Sequence, residues 1–333
     1  MTTQRVAVMG SGTFGTAFAK VLADAGNSVT MWARREDVAL DIRERHRNTA
    51  YLPTTSLPPT VTADVDAAEV LASADGVVLA VPSYALRDNL LAWGRHIPAD
   101  VTIVSLIKGL EVPTKARMSE VVTDELKVSE DRVVVISGPN HAVELAAEQP
   151  ATTTVAGLYP ERAAAVCAGV TTPYLQPQLS TDVVGCELGG AMKSVIALAL
   201  GVVTGMGLGD NSKAIILSAG LTEMHLLGRC LGAEPTTFLG PAGMGDLIAT
   251  CSSPLSCNRY FGEVLARSGS VKEAQAVLRQ TAEGVRSSQA LGELARAHGA
   301  HLPVTEHVEL ICRWGGKPDD IISTLLRSMA RHL

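Results

Sequence analysis

Along the first half of the chain, short runs of apolar, largely β-branched residues alternate with stretches whose apolar positions recur every three or four residues. RVAVMG (residues 5–10) precedes TFGTAFAKVLADAG (13–26), SVTMW (28–32) follows, and GVVLAVPS (76–83) precedes YALRDNLLAWG (84–94). VTIVSL (101–106) leads into a helical stretch through Val121, and RVVVIS (132–137) and TTTVAG (152–157) close the series. Near-continuous Val/Ile runs, rather than strict alternation, predict strands covered on both faces, as in a parallel sheet with crossover helices. The pattern is that of a doubly wound α/β sheet. From about Asp182 the β-rich runs stop and helical patterns follow one another, one of them opened by Ser270-Val271-Lys272-Glu273, a capping-box signature. The second half is therefore expected to be all-α.

Composition narrows the class. A chain of 333 residues, 47% hydrophobic and 19% charged, buries a sizeable core and is long for one domain, so two are expected. A net charge of −6 without long Lys/Arg runs gives no electrostatic reason for a nucleic-acid or anionic-membrane partner. The six cysteines are scattered, with no CxxC pair and no Cys/His cluster at zinc spacing, which suits a reduced, cytoplasmic protein and no metal site. The N-terminus shows no leader pattern. The longest apolar run, residues 195–209, has 15 residues broken by four glycines and reads as a buried helix rather than a membrane span.

GSGTFG, Gly10-Ser11-Gly12-Thr13-Phe14-Gly15, fits G-x-G-x-x-G between a strand and a helix. The bare hexamer is a weak signal, but its flanks supply the context the motif needs. The first glycine makes the turn, the second lets backbone approach a pyrophosphate, the third lets helix pack on strand, and the helix N-terminus receives the phosphate. At the end of the second strand, where an acidic residue would bind a ribose 2′-hydroxyl, the chain has Ala33-Arg34-Arg35. Two guanidiniums suit a 2′-phosphate, so NADP(H) is favoured over NAD(H); a solvated basic loop is the alternative.

A nicotinamide enzyme acting on a ketone needs a proton carrier. The Tyr-x-x-x-Lys pair of another dehydrogenase class is missing. In ELGGAMKSVIALALG (187–201), a helix would place Gly189 and Gly190 at i−4 and i−3 from Lys193, so that the lysine looks over a floor of glycine. Interior glycines each cost roughly 1 kcal/mol against Ala, which points to something approaching the backbone closely. Burial would lower the lysine pKa toward the range useful for acid-base work. A lysine snorkelling out at a helix end, or glycines packing between helices, accounts equally for the pattern. IKGLE, with Lys108, and SGPNHAVE (137–144) follow strands, at the end where open α/β sheets bind ligands. In GPAGMGDLIATCSSPLSCNRYFG, Asp246 and Asn258 are singly N-cap or turn formers and together resemble a binding wall.

With GSGTFG, YLP (51–53), VPS (81–83), KGLE, SGPNHAVE, ELGGAMKSVIALALG, AGMGDLIATC and NRYFG in this order, the chain resembles the bacterial NAD(P)-dependent glycerol-3-phosphate dehydrogenases nearly end to end. The resemblance implies a Rossmann domain (1–186), a helical substrate domain (187–333), an active site in the cleft between them, and a cytoplasmic homodimer. It implies reversible reduction of dihydroxyacetone phosphate to sn-glycerol 3-phosphate, a reaction of glycerophospholipid metabolism. Carried over, Lys193 is the catalytic acid/base. Ser11, Thr13, Phe14, Arg34, Arg35, Lys108, Ala142 and Glu283 contact cofactor, while Lys108, Gly138, Asn140, Ser194, Asp246, Ser256, Cys257 and Asn258 face substrate.

The chain departs from the family pattern at three places. Ser194 stands where the family has Asn or Asp after the lysine, Ala219 where Thr-Arg-Gly-Leu has its arginine, and Cys257 where Ser-Arg-Asn has the arginine expected to grip the substrate phosphate. A lost charge-assisted contact weakens binding by on the order of 1.5–3 kcal/mol. Arg259 offers a partial substitute, although two places along a helix turn a side chain well away from the first. Cys257 reads as a small buried apolar residue rather than a reactive thiol. The alternatives are a divergent member reducing another small phospho- or carboxy-ketone, and a dinucleotide-binding sensor without turnover.

Overall fold

The computed structural model describes residues 4–278 and 282–330. The chain divides into two compact units, Met1–Lys108 with Met118–Val183, and Gly109–Arg117 with Val184–Leu333.

The first unit is built on an eight-stranded sheet. Its strands are β1 (Arg5–Met9), β2 (Ser28–Trp32), β5 (Val61–Asp64), β6 (Gly76–Leu79), β7 (Thr102–Ser105), β8 (Val133–Ser137), β9 (Ala151–Ala156) and β10 (Leu175–Ser180); β3 (Arg47–Asn48) and β4 (Leu52–Ser56) form a separate ribbon. The order β10-β9-β8-β7-β6-β1-β2-β5 places the topological switch between β1 and β6. Its helices are α1 (Thr13–Asp24), α2 (Glu36–Arg45), α3 (Ala67–Leu71), α4 (Leu86–Trp93), α5 (Met118–Leu126), α6 (Ala142–Ala146) and α7 (Pro160–Val170). Every β-rich run of the first half forms a strand. The doubly wound reading holds for β1, β2, β5, β6, β7 and β8, which pair in parallel, but β9 pairs antiparallel with β8. The reason lies in the connection: between β8 and β9 the chain has only the five-residue α6, too short a helix to carry it back along the sheet for another parallel crossover. β5 and β10 escaped the sequence reading because VTAD and LQPQLS are short and polar, as edge strands tend to be.

The second unit is helical, with α8 (Val183–Gly205), α9 (Asp210–Cys230), α10 (Asp246–Ser252), α11 (Cys257–Ser268), α12 (Val271–Val277), α13 (Glu283–Ala297), α14 (Pro303–Trp314) and α15 (Ile321–Ala330). Half of the expected capping box is present: Ser270 Oγ accepts from the Glu273 N–H at 3.3 Å, while the Ser270 N–H donates to Ser268 Oγ rather than to Glu273. By length and composition alone α8 is long and apolar enough to cross a membrane, yet 89% of its most apolar window is buried inside the protein. Leu188, Met192, Val195, Ile196, Leu198 and Val202 from α8 occupy the centre of this unit's core. Glycine lets α11 come close: a Cβ on Gly201 would collide with the Arg259 carbonyl, and one on Gly262 with that of Leu198. Residues 109–117, expected to lie within the nucleotide-binding half, pack with the helices. Leu110 enters the helical core, and Arg117 Nη1 lies 3.0 Å from Glu187 Oε2 on α8.

Candidate active site

The glycine turn joins β1 to α1 at the switch between β1 and β6. Gly10 has φ +129°, and a Cβ there would stand 2.6 Å from the Ala80 carbonyl oxygen, so this position requires glycine twice over. A Cβ on Gly15 would collide with the Gly10 carbonyl, and one on Gly12 would meet nothing within 4 Å. The turn is therefore tight where it faces the protein and open at Gly12. No side chain caps α1, and no acidic residue sits in its first turn. The unpaired N–H groups and the positive end of the helix are thus left for an anion, and these residues fit a dinucleotide's pyrophosphate.

The ribbon β3–β4 braces this turn. The Asn48 amide donates to the Ser11 carbonyl at 2.9 Å and the Thr16 hydroxyl at 2.8 Å, and the Thr13 hydroxyl donates to the Tyr51 carbonyl at 3.2 Å. Sequence reasoning missed Asn48; three places before the quoted YLP, it carries no periodic signal. Phe14 packs on Phe18 with ring centroids 6.2 Å apart. At the end of β2, Arg34 is exposed and makes no ion pair among the described residues. Arg35 forms a bidentate pair with Asp37, whose carboxyl it holds below the usual carboxylate range. The two arginines are thus unequal as phosphate ligands.

A second group forms beyond the carboxyl ends of β7 and β8. Lys108 Nζ donates to the Gly138 carbonyl at 3.0 Å, and the Asn140 amide donates to the Thr152 carbonyl at 2.9 Å. A Cβ on Gly138 would lie 2.8 Å from the Thr153 Cα, so glycine is needed for the approach to β9. Ala142 packs with Ala17 of α1, Leu52 and Ala146.

The third group lies in the helical unit around Lys193. Its Nζ is 2.5 Å from Asp246 Oδ1 and 3.0 Å from Thr250 Oγ1, and the Thr250 hydroxyl is 3.3 Å from the same carboxylate oxygen. The Lys193 side chain is 12% exposed and that of Asp246 2%. An ammonium buried to this extent requires such a partner. Thr250 was not foreseen, although its i+4 spacing from Asp246 on one helix face was a usable signal.

At Gly189 the glycine floor is not open. A Cβ on Gly189 would collide with the carbonyl of Ala242, so what approaches the backbone there is the chain's own turn Pro241–Gly245, which leads into Asp246. Packing glycine, the alternative reading, describes this position.

Asn258 and Ser194 also meet, at Gly284, the residue after Glu283. Asn258 Oδ1 accepts from the Gly284 N–H at 2.9 Å, in the first turn of α13, and a Cβ on Gly284 would lie 2.5 Å from the Ser194 carbonyl oxygen. Ser256 is the N-cap of α11, accepting from the Arg259 N–H at 3.3 Å. Cys257 follows in the first turn, and burial pushes its thiol pKa up, in keeping with an apolar role. Arg259 does not substitute for an arginine at 257: it pairs with Glu263 at 3.0 Å and donates to the Ser252 carbonyl at 2.8 Å, sealing the end of α10. Ala219 packs against the helical core beside Gly220, where a Cβ would meet the Ile196 side chain at 2.7 Å.

Comparison with known proteins places these groups in context. Residues 5–163 match the family described as NAD-dependent glycerol-3-phosphate dehydrogenase N-terminus, and residues 182–323 its C-terminus. The chain is 49% identical over 327 residues to the glycerol-3-phosphate dehydrogenase [NAD(P)+] of Streptomyces griseus, covering 98% of this chain and 97% of that protein. It is 50% identical over 322 residues to that of Corynebacterium glutamicum, covering 96% and 97%. The crystal structure of glycerol-3-phosphate dehydrogenase from Coxiella burnetii superposes with a TM-score of 0.92 at 31% identity, over 97% of this chain and 99% of that one.

Proposed function

Because the chain belongs to the NAD-dependent glycerol-3-phosphate dehydrogenase family, we propose that it interconverts dihydroxyacetone phosphate and sn-glycerol 3-phosphate with a nicotinamide dinucleotide, using Lys193 as the proton carrier. The observation that carries the assignment of Lys193 is its buried contact with Asp246 and Thr250. A lysine held by one carboxylate and one hydroxyl has its ammonium direction set before substrate arrives, which is what proton delivery requires. The reduced nicotinamide, when bound, supplies the hydride. Lys193 hands its proton to the ketone oxygen that becomes the secondary alcohol, and in the reverse direction takes that proton back. Asp246 positions the ammonium and offsets its charge.

The remaining residues divide by what they touch. Gly10, Ser11, Gly12, Thr13, Phe14 and Gly15 form the pyrophosphate turn, and Lys108, with Gly138, Asn140 and Ala142, serves the region between cofactor and substrate. Asn258 acts through the α13 terminus it holds, and so positions Glu283 for the cofactor. Ser194, Ser256 and Cys257 stand on the substrate side. NADP(H) is preferred, with Arg34 as the principal 2′-phosphate ligand because Asp37 already engages Arg35. The enzyme works as a cytoplasmic homodimer. Relatives half identical over nearly the whole chain bear the same activity in their names, which does not favour a different ketone or a loss of turnover.

The test is a substrate panel with both cofactors. Purified protein should oxidise NADPH with dihydroxyacetone phosphate at a kcat on the order of 10 per second. Tight NADPH binding without reduction of any small ketone would refute the reading in favour of a sensor. Arg34→Ala should raise the KM for NADPH by about tenfold and leave that for NADH unchanged; equal effects on both would remove the NADP preference.

A further inference from the structure

Asn48 lies beneath the glycine turn. Its amide nitrogen serves the Ser11 carbonyl and the Thr16 hydroxyl, and that hydroxyl donates to the same carbonyl at 3.3 Å. Asn48 and Thr16 are each 1% exposed, so the Ser11 oxygen receives two hydrogen bonds from the protein interior. In a trans peptide the C=O and the following N–H point in opposite directions. Pinning the Ser11 oxygen inward therefore turns the Gly12 N–H outward. Gly12 is also where an added Cβ would meet nothing within 4 Å, so the turn has room for a ligand there. Glycine on one side of this peptide lowers the barrier set by sterics to a flipped orientation, in which a carbonyl would face an incoming anion.

One further detail separates this residue from an ordinary loop brace. Asn48 Oδ1 is buried without a hydrogen-bond partner among the described residues. A buried orphan acceptor is destabilising, and an apolar side chain of similar size would avoid it. The position thus retains an amide at a cost to stability, and the benefit falls on the Ser11–Gly12 peptide.

We propose that Asn48, with Thr16, is a positioning residue that locks the Ser11–Gly12 peptide in its anion-receiving orientation and so pre-organises the turn for the cofactor pyrophosphate. The proposal rests on the functional reading only for the identity of the ligand. Pre-organisation lowers the cost of binding without adding a contact, so the effect belongs in cofactor affinity rather than in the chemical step.

Asn48→Leu and Thr16→Val in the full-length protein test this, with NADPH affinity read by its fluorescence on binding and with inorganic pyrophosphate and adenosine as competitors. Each variant should bind NADPH and pyrophosphate about tenfold more weakly, keep adenosine affinity within about twofold, and raise the cofactor KM without changing kcat at saturation or the KM for dihydroxyacetone phosphate. Equal loss for pyrophosphate and adenosine, or loss for neither, would overturn the proposal. If Asn48→Leu does not fold, Thr16→Val, which is isosteric, carries the same measurement. A wild-type protein that binds NADPH without reducing the ketone would refute the functional reading and leave this binding test intact.

Discussion

The glycine turn of the first unit and the lysine cluster of the second hold charge in opposite ways. At the turn, the groups available to an anion are backbone N–H donors, and the important side chains are those left out: Gly10 because a Cβ would meet Ala80, Gly12 because the space is open, Gly15 because the helix must reach Gly10. Around Lys193 the groups are side chains, a largely buried ammonium paired with a fully buried carboxylate. A backbone site exposes no titratable group and depends on conformation. A side-chain site depends on a partner from another helix, so that removing either member strands the other. The difference teaches where each site is vulnerable.

The largest effect is expected from Lys193→Ala, which should lower kcat by about 10²–10⁴-fold while leaving NADPH affinity near wild type. Full turnover in this variant would remove the lysine from the mechanism. Asp246→Asn sharpens the contrast, since it keeps the shape and removes the charge that pairs with Lys193. We expect kcat to fall by about tenfold to a hundredfold and stability to drop by about 3 kcal/mol, measured by denaturant unfolding. Unchanged values of both would show that the pair is not needed.

Gly12→Ala examines the other region. Gly12 has φ −71°, which alanine adopts freely, and its Cβ would find open space, so the melting temperature should hardly change. NADPH affinity should nevertheless fall by about tenfold, because the methyl occupies the pyrophosphate's approach. Gly10→Ala, by contrast, should impair folding itself. If Gly12→Ala binds NADPH normally, the turn does not receive the pyrophosphate there.

The smallest effect concerns His307, a buried residue of α14. Burial holds its imidazole below the ordinary value of 6.5, and its Nε2 is buried without a partner among the described residues. The folded state therefore favours the neutral ring. Its stabilising contribution is present above the unfolded-state pKa and is lost as pH falls through the lowered folded value. The melting temperature should decline by about 2–4 °C more in the wild type than in His307→Gln on acidification to about pH 5. Equal decline in both would assign the acid sensitivity elsewhere.

Much of the fold was legible because its signals are local. Val/Ile runs and glycine spacing act over a few residues, and Ser270 to Glu273 formed half of the capping box their spacing predicts. What escaped were features whose local signal is weak or whose causes lie far along the chain. The reversal at β9 follows from the short α6, and β5 and β10 are polar edge strands held by their neighbours. Among the candidate site residues, Lys193 and Asp246 were named singly, but their pairing spans 53 positions and no spacing rule reaches that far. Gly189 looked like a floor for a ligand because sequence cannot say which backbone, foreign or its own, fills the space a Cβ would take.

By itself, then, the sequence determined the alternating sheet-and-helix half, the glycine turn, the helical half and the lysine set in an apolar helix, because backbone conformation and apolar periodicity are properties of neighbouring residues. The tertiary structure alone decided that Lys193 is answered by Asp246 and Thr250, that Arg259 is committed to the end of α10, that residues 109–117 pack with the helices, and that Asn48 lies under the turn. Each of these depends on which side chains meet after distant elements pack, where burial makes a charge or an amide seek a partner it could not find among its neighbours in the chain.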